Sequence, residues 1–119
     1  MIYSQERADG PPPEELEDIK RGHRAVMEES AGKGVLKAVE ALKPTAMATS
    51  VRIKDGAAII SDGPFAETKE QLAGFYLMEC TNLDEAIEWA KKIPTGCKGG
   101  EGCIEIRPIF ELKRPELQG

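Results

Sequence analysis

The chain has 119 residues, of which 40% are hydrophobic and 31% charged, the balance of a single soluble globular domain and not of a disordered segment. Sixteen basic residues against twenty-one acidic ones leave a net charge of −5, and no basic stripe with interleaved aromatics is present, which argues against nucleic-acid binding. No run approaches the roughly 18 apolar residues that a membrane-spanning helix needs.

The first residues, Met1-Ile2-Tyr3-Ser4-Gln5-Glu6-Arg7, have neither the charged nor the apolar region of a secretory signal, so a cytoplasmic location is expected. Pro11-Pro12-Pro13 followed by Glu14-Glu15 then predicts a helix start, since proline suits the first turn and acids suit its positive end. Leu16, Ile19, His23, Val26, Met27 and Ser30 recur at three- and four-residue steps, one face of a helix running to about Ala31 and stopped by Gly32 and Gly34. Val35 to Leu42 suits either a helix or a strand. Its length and the following Pro44 favour the strand.

Met47, Thr49, Val51 and Ile53 alternate with Ala48, Ser50, Arg52 and Lys54, as in a half-buried strand. Asp55-Gly56 is a hairpin turn signal, with Ala57 to Ser61 returning. After Asp62, the spacing of Thr68 and Gln71 predicts a short helical turn, and Phe75 to Cys80 reads as a strand. Asn82 and Glu85 repeat the capping spacing ahead of a helix with Leu83, Ala86, Ile87 and Ala90 on its apolar side, ending before Pro94. Thr95 to Gly102 holds four glycines and reads as a loop, Cys103 to Phe110 as the last strand, and residues 113–119 as a tail beyond a single domain of residues 1–112. Helices packed on one face of a mainly antiparallel sheet make an α+β sandwich.

Few residues suggest chemistry. His23 is the lone histidine and the only side chain with an ordinary pKa near neutrality; it points with the apolar stripe towards the sheet, where it is either a packed core residue or a proton shuttle. Asp62 before Gly63-Pro64 is a common turn former, Phe65 is most simply a core plug, and Glu67 and Lys69 are solvated charges. Gly63, preceding a proline, is expected in extended geometry. Arg107 pairs with Glu105, Glu67 or a partner, or else holds a substrate carboxylate. Tyr76 faces away from Phe75 and Leu77, towards the cleft or a dimer interface. Cys80, Cys97 and Cys103 form an odd set without Cys-x-x-Cys spacing and read as free thiols; a zinc site would need all three with His23, so no metal is expected. The glycines around Gly99 lack the order of a phosphate-binding loop, and no nucleotide or flavin fingerprint calls for a cofactor.

Asp62-Gly63-Pro64-Phe65-Ala66-Glu67-Thr68-Lys69-Glu70, together with Arg107-Pro108, resembles the signature of the DGPF group of YCII-related proteins, over roughly residues 10 to 110. The resemblance implies a ferredoxin-like dimeric α+β barrel, with an antiparallel sheet, two main helices on one face and an added hairpin. It implies a homodimer, and it matches His23 and Asp62 to a proposed His/Asp active-site pair. In that pair the carboxylate would orient the imidazole and raise its pKa, while the free nitrogen exchanges a proton. With no activated nucleophile beside them, elimination or isomerisation of a small polar or aromatic molecule is the expected chemistry, with Arg107, Tyr76 and Phe65 as candidate substrate contacts. A non-catalytic ligand-binding or regulatory module linked to sigma-factor signalling is the alternative. The resemblance also makes the first strand look short, as if the chain started late or one edge were thin.

Overall fold

The computed structural model describes residues 1–6, 12–95 and 102–110. They form β1 (Ile2–Ser4), α1 (Pro13–Gly32), β2 (Leu36–Ala41), β3 (Thr49–Lys54), β4 (Ala57–Asp62), β5 (Gln71–Met78), α2 (Leu83–Ala90) and β6 (Gly102–Ile104). The main sheet has the spatial order β2-β5-β1-β6 with every neighbour antiparallel, and β3 and β4 make a separate two-stranded sheet. With that hairpin set aside, the chain order β-α-β-β-α-β and the sheet order are those of a ferredoxin-like α+β fold. β2 and β6 are free edges, so the single chain forms an open sheet and not a closed barrel.

Both helices contribute to one core. Val26 of α1 and Trp89 of α2 are buried with Ile2, Val35 and Ile93, and Tyr76, Met78, Cys80 and Ile104 pack against them. α1 starts where the prolines and Glu14-Glu15 place it, and the chain leaves it through Gly34 at φ 72°, a left-handed conformation that favours glycine. At its buried end Ser30 donates its hydroxyl to the Val26 carbonyl at 2.7 Å, which satisfies a polar group with no exposure at all. Lys92 ties the helices together, reaching Glu29 of α1 at 2.8 Å while lying 4.9 Å above the Trp89 ring.

The strand reading of Val35 to Leu42 holds, and the Asp55-Gly56 turn has positive φ at both residues, the type I′ geometry that hairpins prefer. Four expectations need correction. Thr68 and Gln71 start no helix: the Thr68 hydroxyl donates to the Glu70 carbonyl at 2.6 Å, the Gln71 amide to the Thr68 carbonyl, and β5 begins at Gln71. Those side chains serve a turn because the sheet claims the backbone that follows. β3 and β4 are not half-buried, because nothing among the described residues packs on their apolar side, and Met47 falls in a short 3₁₀ turn, Thr45–Met47, ahead of β3. The last strand is three residues long and includes Gly102; past Glu105, which exchanges two backbone hydrogen bonds with Met1, no strand of the described residues lies beside it. β1 is short, but it is an inner strand and not a thin edge. The tail and residues 96–101 of the glycine loop, Cys97 included, lie outside the described residues.

Candidate functional site

His23 sits midway along α1, two turns after Leu16, on the stripe that faces the sheet. On β5 the alternation that sends Phe75 and Leu77 to one side sends Tyr76 and Met78 to the other, against the helices. The two meet: the Tyr76 hydroxyl lies 2.7 Å from His23 Nδ1, and the rings stack with centroids 5.9 Å apart at 22°. Both are half-buried. Burial alone pushes the His23 pKa below its ordinary value and the Tyr76 pKa above its own, each change favouring the neutral form. The result is a neutral imidazole hydrogen-bonded to a neutral phenol in a partly dry environment, an arrangement able to pass a proton between two ring groups.

Asp62 lies elsewhere. It closes β4, opposite Thr49, and its side chain is exposed. Among the described residues no hydrogen bond or ion pair joins it to His23; within one chain the imidazole has a phenol partner instead of a carboxylate. The turn that follows is bound to the hairpin through the backbone. Gly63 donates to the Ala48 carbonyl at 2.7 Å, the Ser50 hydroxyl donates to the Gly63 carbonyl at 2.7 Å, and Arg52 donates to the Phe65 carbonyl at 3.0 Å. These bonds hold Gly63 at φ 95°, a conformation open to glycine and not the extended geometry expected before a proline. Phe65 is no core plug: it is 75% exposed.

Arg107 forms an ion pair with Glu105 at 2.8 Å, one of the partners expected for it. It borders an apolar cavity of about 730 Å³ whose walls are β5 from Phe75 to Met78, Leu83 and Ala86 of α2, and the run from Ile104 to Ile109. Tyr76 contributes to that wall and His23 does not. Cys80 also lines it; burial, reinforced by the Glu85 charge, raises its pKa, which leaves it the inert thiol. Cys103 is exposed. Among the described residues no three His, Cys, Asp or Glu side chains gather as a metal site, and no helix is long and apolar enough to cross a membrane.

The contact that sequence reasoning did not join is His23 with Tyr76. Each half was visible, the imidazole in the helical period and the phenol in the strand alternation, but the pair spans 53 residues and no local pattern links them. Glu6 carries no motif signal either, although its carboxylate accepts from the Thr45 backbone at 2.8 Å and from the Thr45 hydroxyl at 2.7 Å, fastening the segment after β1 to the base of the hairpin.

Comparison with known proteins agrees with this architecture. The YCII-related domain matches residues 1–113. A protein of Rhizobium meliloti (strain 1021) described as "Uncharacterized protein R00369" is 42% identical over 104 residues, which is 87% of this chain and 83% of that protein. The chain therefore belongs to the YCII-related domain family.

Proposed function

We propose that this YCII-related protein is a small enzyme that moves a proton on a small polar or aromatic molecule, by elimination or isomerisation, with His23 as the exchanging group. The observation that carries the reading is the half-buried His23–Tyr76 contact at 2.7 Å. An imidazole whose pKa is pushed below 6.5 is neutral at pH 7 and ready to accept a proton, the state a general base requires. The absence of an activated nucleophile among the described residues supports proton transfer over acyl transfer, since Cys80 is disfavoured as a thiolate.

In this reading the working unit is a homodimer. Asp62, carried on the exposed hairpin, is a second acid–base group that reaches the substrate from outside the chain that holds His23. Arg107 and Phe65, both exposed, are the side chains through which a carboxylate or an aromatic ring would be held.

A ligand screen followed by isotope exchange tests the reading. Small phenols and carboxylic acids are screened for perturbation of the His23 ring signals by NMR, and each ligand found is incubated with the protein in D₂O. Deuterium entering a C–H position of the ligand, lost in His23→Gln and reduced in Tyr76→Phe and Asp62→Asn, is the expected result. Ligands that bind without exchange would make the protein a non-catalytic binding or regulatory module and sink the enzymatic reading.

A further inference from the structure

We infer that Tyr76 is the group that meets the ligand, and that it carries the proton between the ligand and His23 Nδ1. The inference rests on the proton-transfer reading above and gives it a contact residue, a binding place and a substrate class. The hydrogen bonds fix the direction of the His23–Tyr76 contact. Among the described residues the Tyr76 hydroxyl has a single partner, His23 Nδ1 at 2.7 Å. Burial keeps the phenol neutral, so its proton is present and needs an acceptor. If Nδ1 carried the ring proton, the phenol proton would have no acceptor among those residues. With Nδ1 bare, a single bond satisfies both groups, and the hydrogen-bond network assigns the ring proton to Nε2. Nε2 itself has no partner among the described residues. None of their buried side-chain nitrogens or oxygens is unpaired, so Nε2 reaches solvent.

The basic lone pair of the imidazole is therefore the one that Tyr76 covers, and a proton reaches it through the phenol oxygen. The cavity walls agree: Tyr76 lines the apolar cavity of about 730 Å³ and His23 does not. The exchange balances without a free phenolate. As the ligand's C–H bond breaks, its proton bonds to the Tyr76 oxygen while the O–H proton of Tyr76 moves to Nδ1. The C–H electron pair stays on the ligand. Tyr76 is neutral before and after, and the imidazole becomes a cation whose Nε2–H is hydrated. Return of the proton completes an isomerisation, and departure of an anion with its bonding pair completes an elimination. The cavity also sets the substrate class. Phe75, Leu77, Leu83, Ala86 and Ile106 suit an aromatic or aliphatic body. Arg107 stands on the same wall; its guanidinium spends an N–H on Glu105 and keeps others for a carboxylate. An apolar carboxylic acid fits both features.

The test reads the His23 ring by ¹⁵N NMR in the full chain, wild type and Tyr76→Phe, with hydrocinnamate, a phenyl ring on a short carboxylate tail, as the probe. Before the probe is added, the wild type should show Nε2 as the protonated nitrogen and Nδ1 as a hydrogen-bonded lone pair. A proton on Nδ1 overturns the inference, and that measurement needs no variant to fold. In Tyr76→Phe the Nδ1 signal should move to that of an unbonded lone pair. Hydrocinnamate should shift the methyl signals of Leu83 and Ile106 in both proteins and bind ~10-fold more weakly to Arg107→Gln. It should shift the His23 ring signals in the wild type and leave them in place in Tyr76→Phe. Equal His23 shifts in both proteins would mean that the imidazole meets the ligand itself, and overturn the inference. Unmoved Leu83 and Ile106 signals, or unchanged affinity in Arg107→Gln, would overturn the binding place and the substrate class. None of these signals needs turnover, so they stand or fall apart from the deuterium exchange that tests the enzymatic reading.

Discussion

At the scale of single residues, His23 combines a structural and a chemical role, and pH separates them. Burial lowers its folded-state pKa below the ordinary 6.5, so the unfolded chain takes up the proton first as pH falls. The sign follows: above 6.5 both states hold a neutral imidazole and nothing is lost. Between 6.5 and the lower folded value the unfolded state binds more protons, and stability declines. Chemical denaturation at pH 7.5 and pH 5 should show a loss for the wild type that shrinks in His23→Gln; a loss of the same size in the variant would mean that the imidazole is not desolvated. The direction His23 faces was legible from its spacing, seven residues after Leu16 and four before Met27. Its partner was not, because Tyr76 arrives through the β2–β5 pairing and not through any neighbour on α1.

At the scale of elements, local signals succeed where the backbone has no competing use. Asn82 caps α2 as its spacing with Glu85 predicts: its side-chain oxygen accepts from the Glu85 N–H at 2.9 Å, and the Glu85 carboxylate returns a bond to the Thr81 N–H at 2.8 Å. Asn82→Ala should cost about 1 kcal/mol in urea denaturation, with Asn82→Asp close to wild type. Thr68 and Gln71 carry the same spacing without a helix, because β5 needs Gln71 as its first residue, opposite Ser4. Long-range pairing also explains Gly74, whose role no pattern revealed. A Cβ there would lie 2.6 Å from the Glu40 carbonyl oxygen of β2, a backbone atom that cannot swing aside. Gly74→Ala should therefore destabilise the sheet by about 1–3 kcal/mol, measured the same way, whereas Gly32→Ala, in open space, should not.

At the scale of the whole molecule, the hairpin explains why its alternation was read correctly and its burial was not. Val51 pairs with Ile60 and Ile53 with Ala58, so these four side chains share one face of the ribbon, while Arg52, Lys54 and Ser50 share the other. The sequence pattern of a half-buried strand is real, yet within one chain Val51, Ile53 and Ile60 are 61%, 72% and 70% exposed. A two-stranded ribbon with a bare apolar face is marginal in water, and such a face is more than single scattered hydrophobic residues account for. A second copy would supply the burial that the pattern demands and one chain does not, and in the homodimer proposed above the four-stranded sheet would form half of the barrel that the family resemblance implies. The protein should then run in light scattering at twice its 13.0 kDa chain mass. Val51→Lys combined with Ile60→Lys places two charges opposite each other on that face and should return it to a monomer. The control is Arg52→Ala with Lys54→Ala on the other face, which should leave the mass unchanged. A wild-type mass of one chain, with the lysine variant equally stable, would show that the ribbon carries its apolar face alone. Loss of the dimer together with loss of ligand exchange at His23 would tie the site to the assembly, since Asp62 travels on the same ribbon.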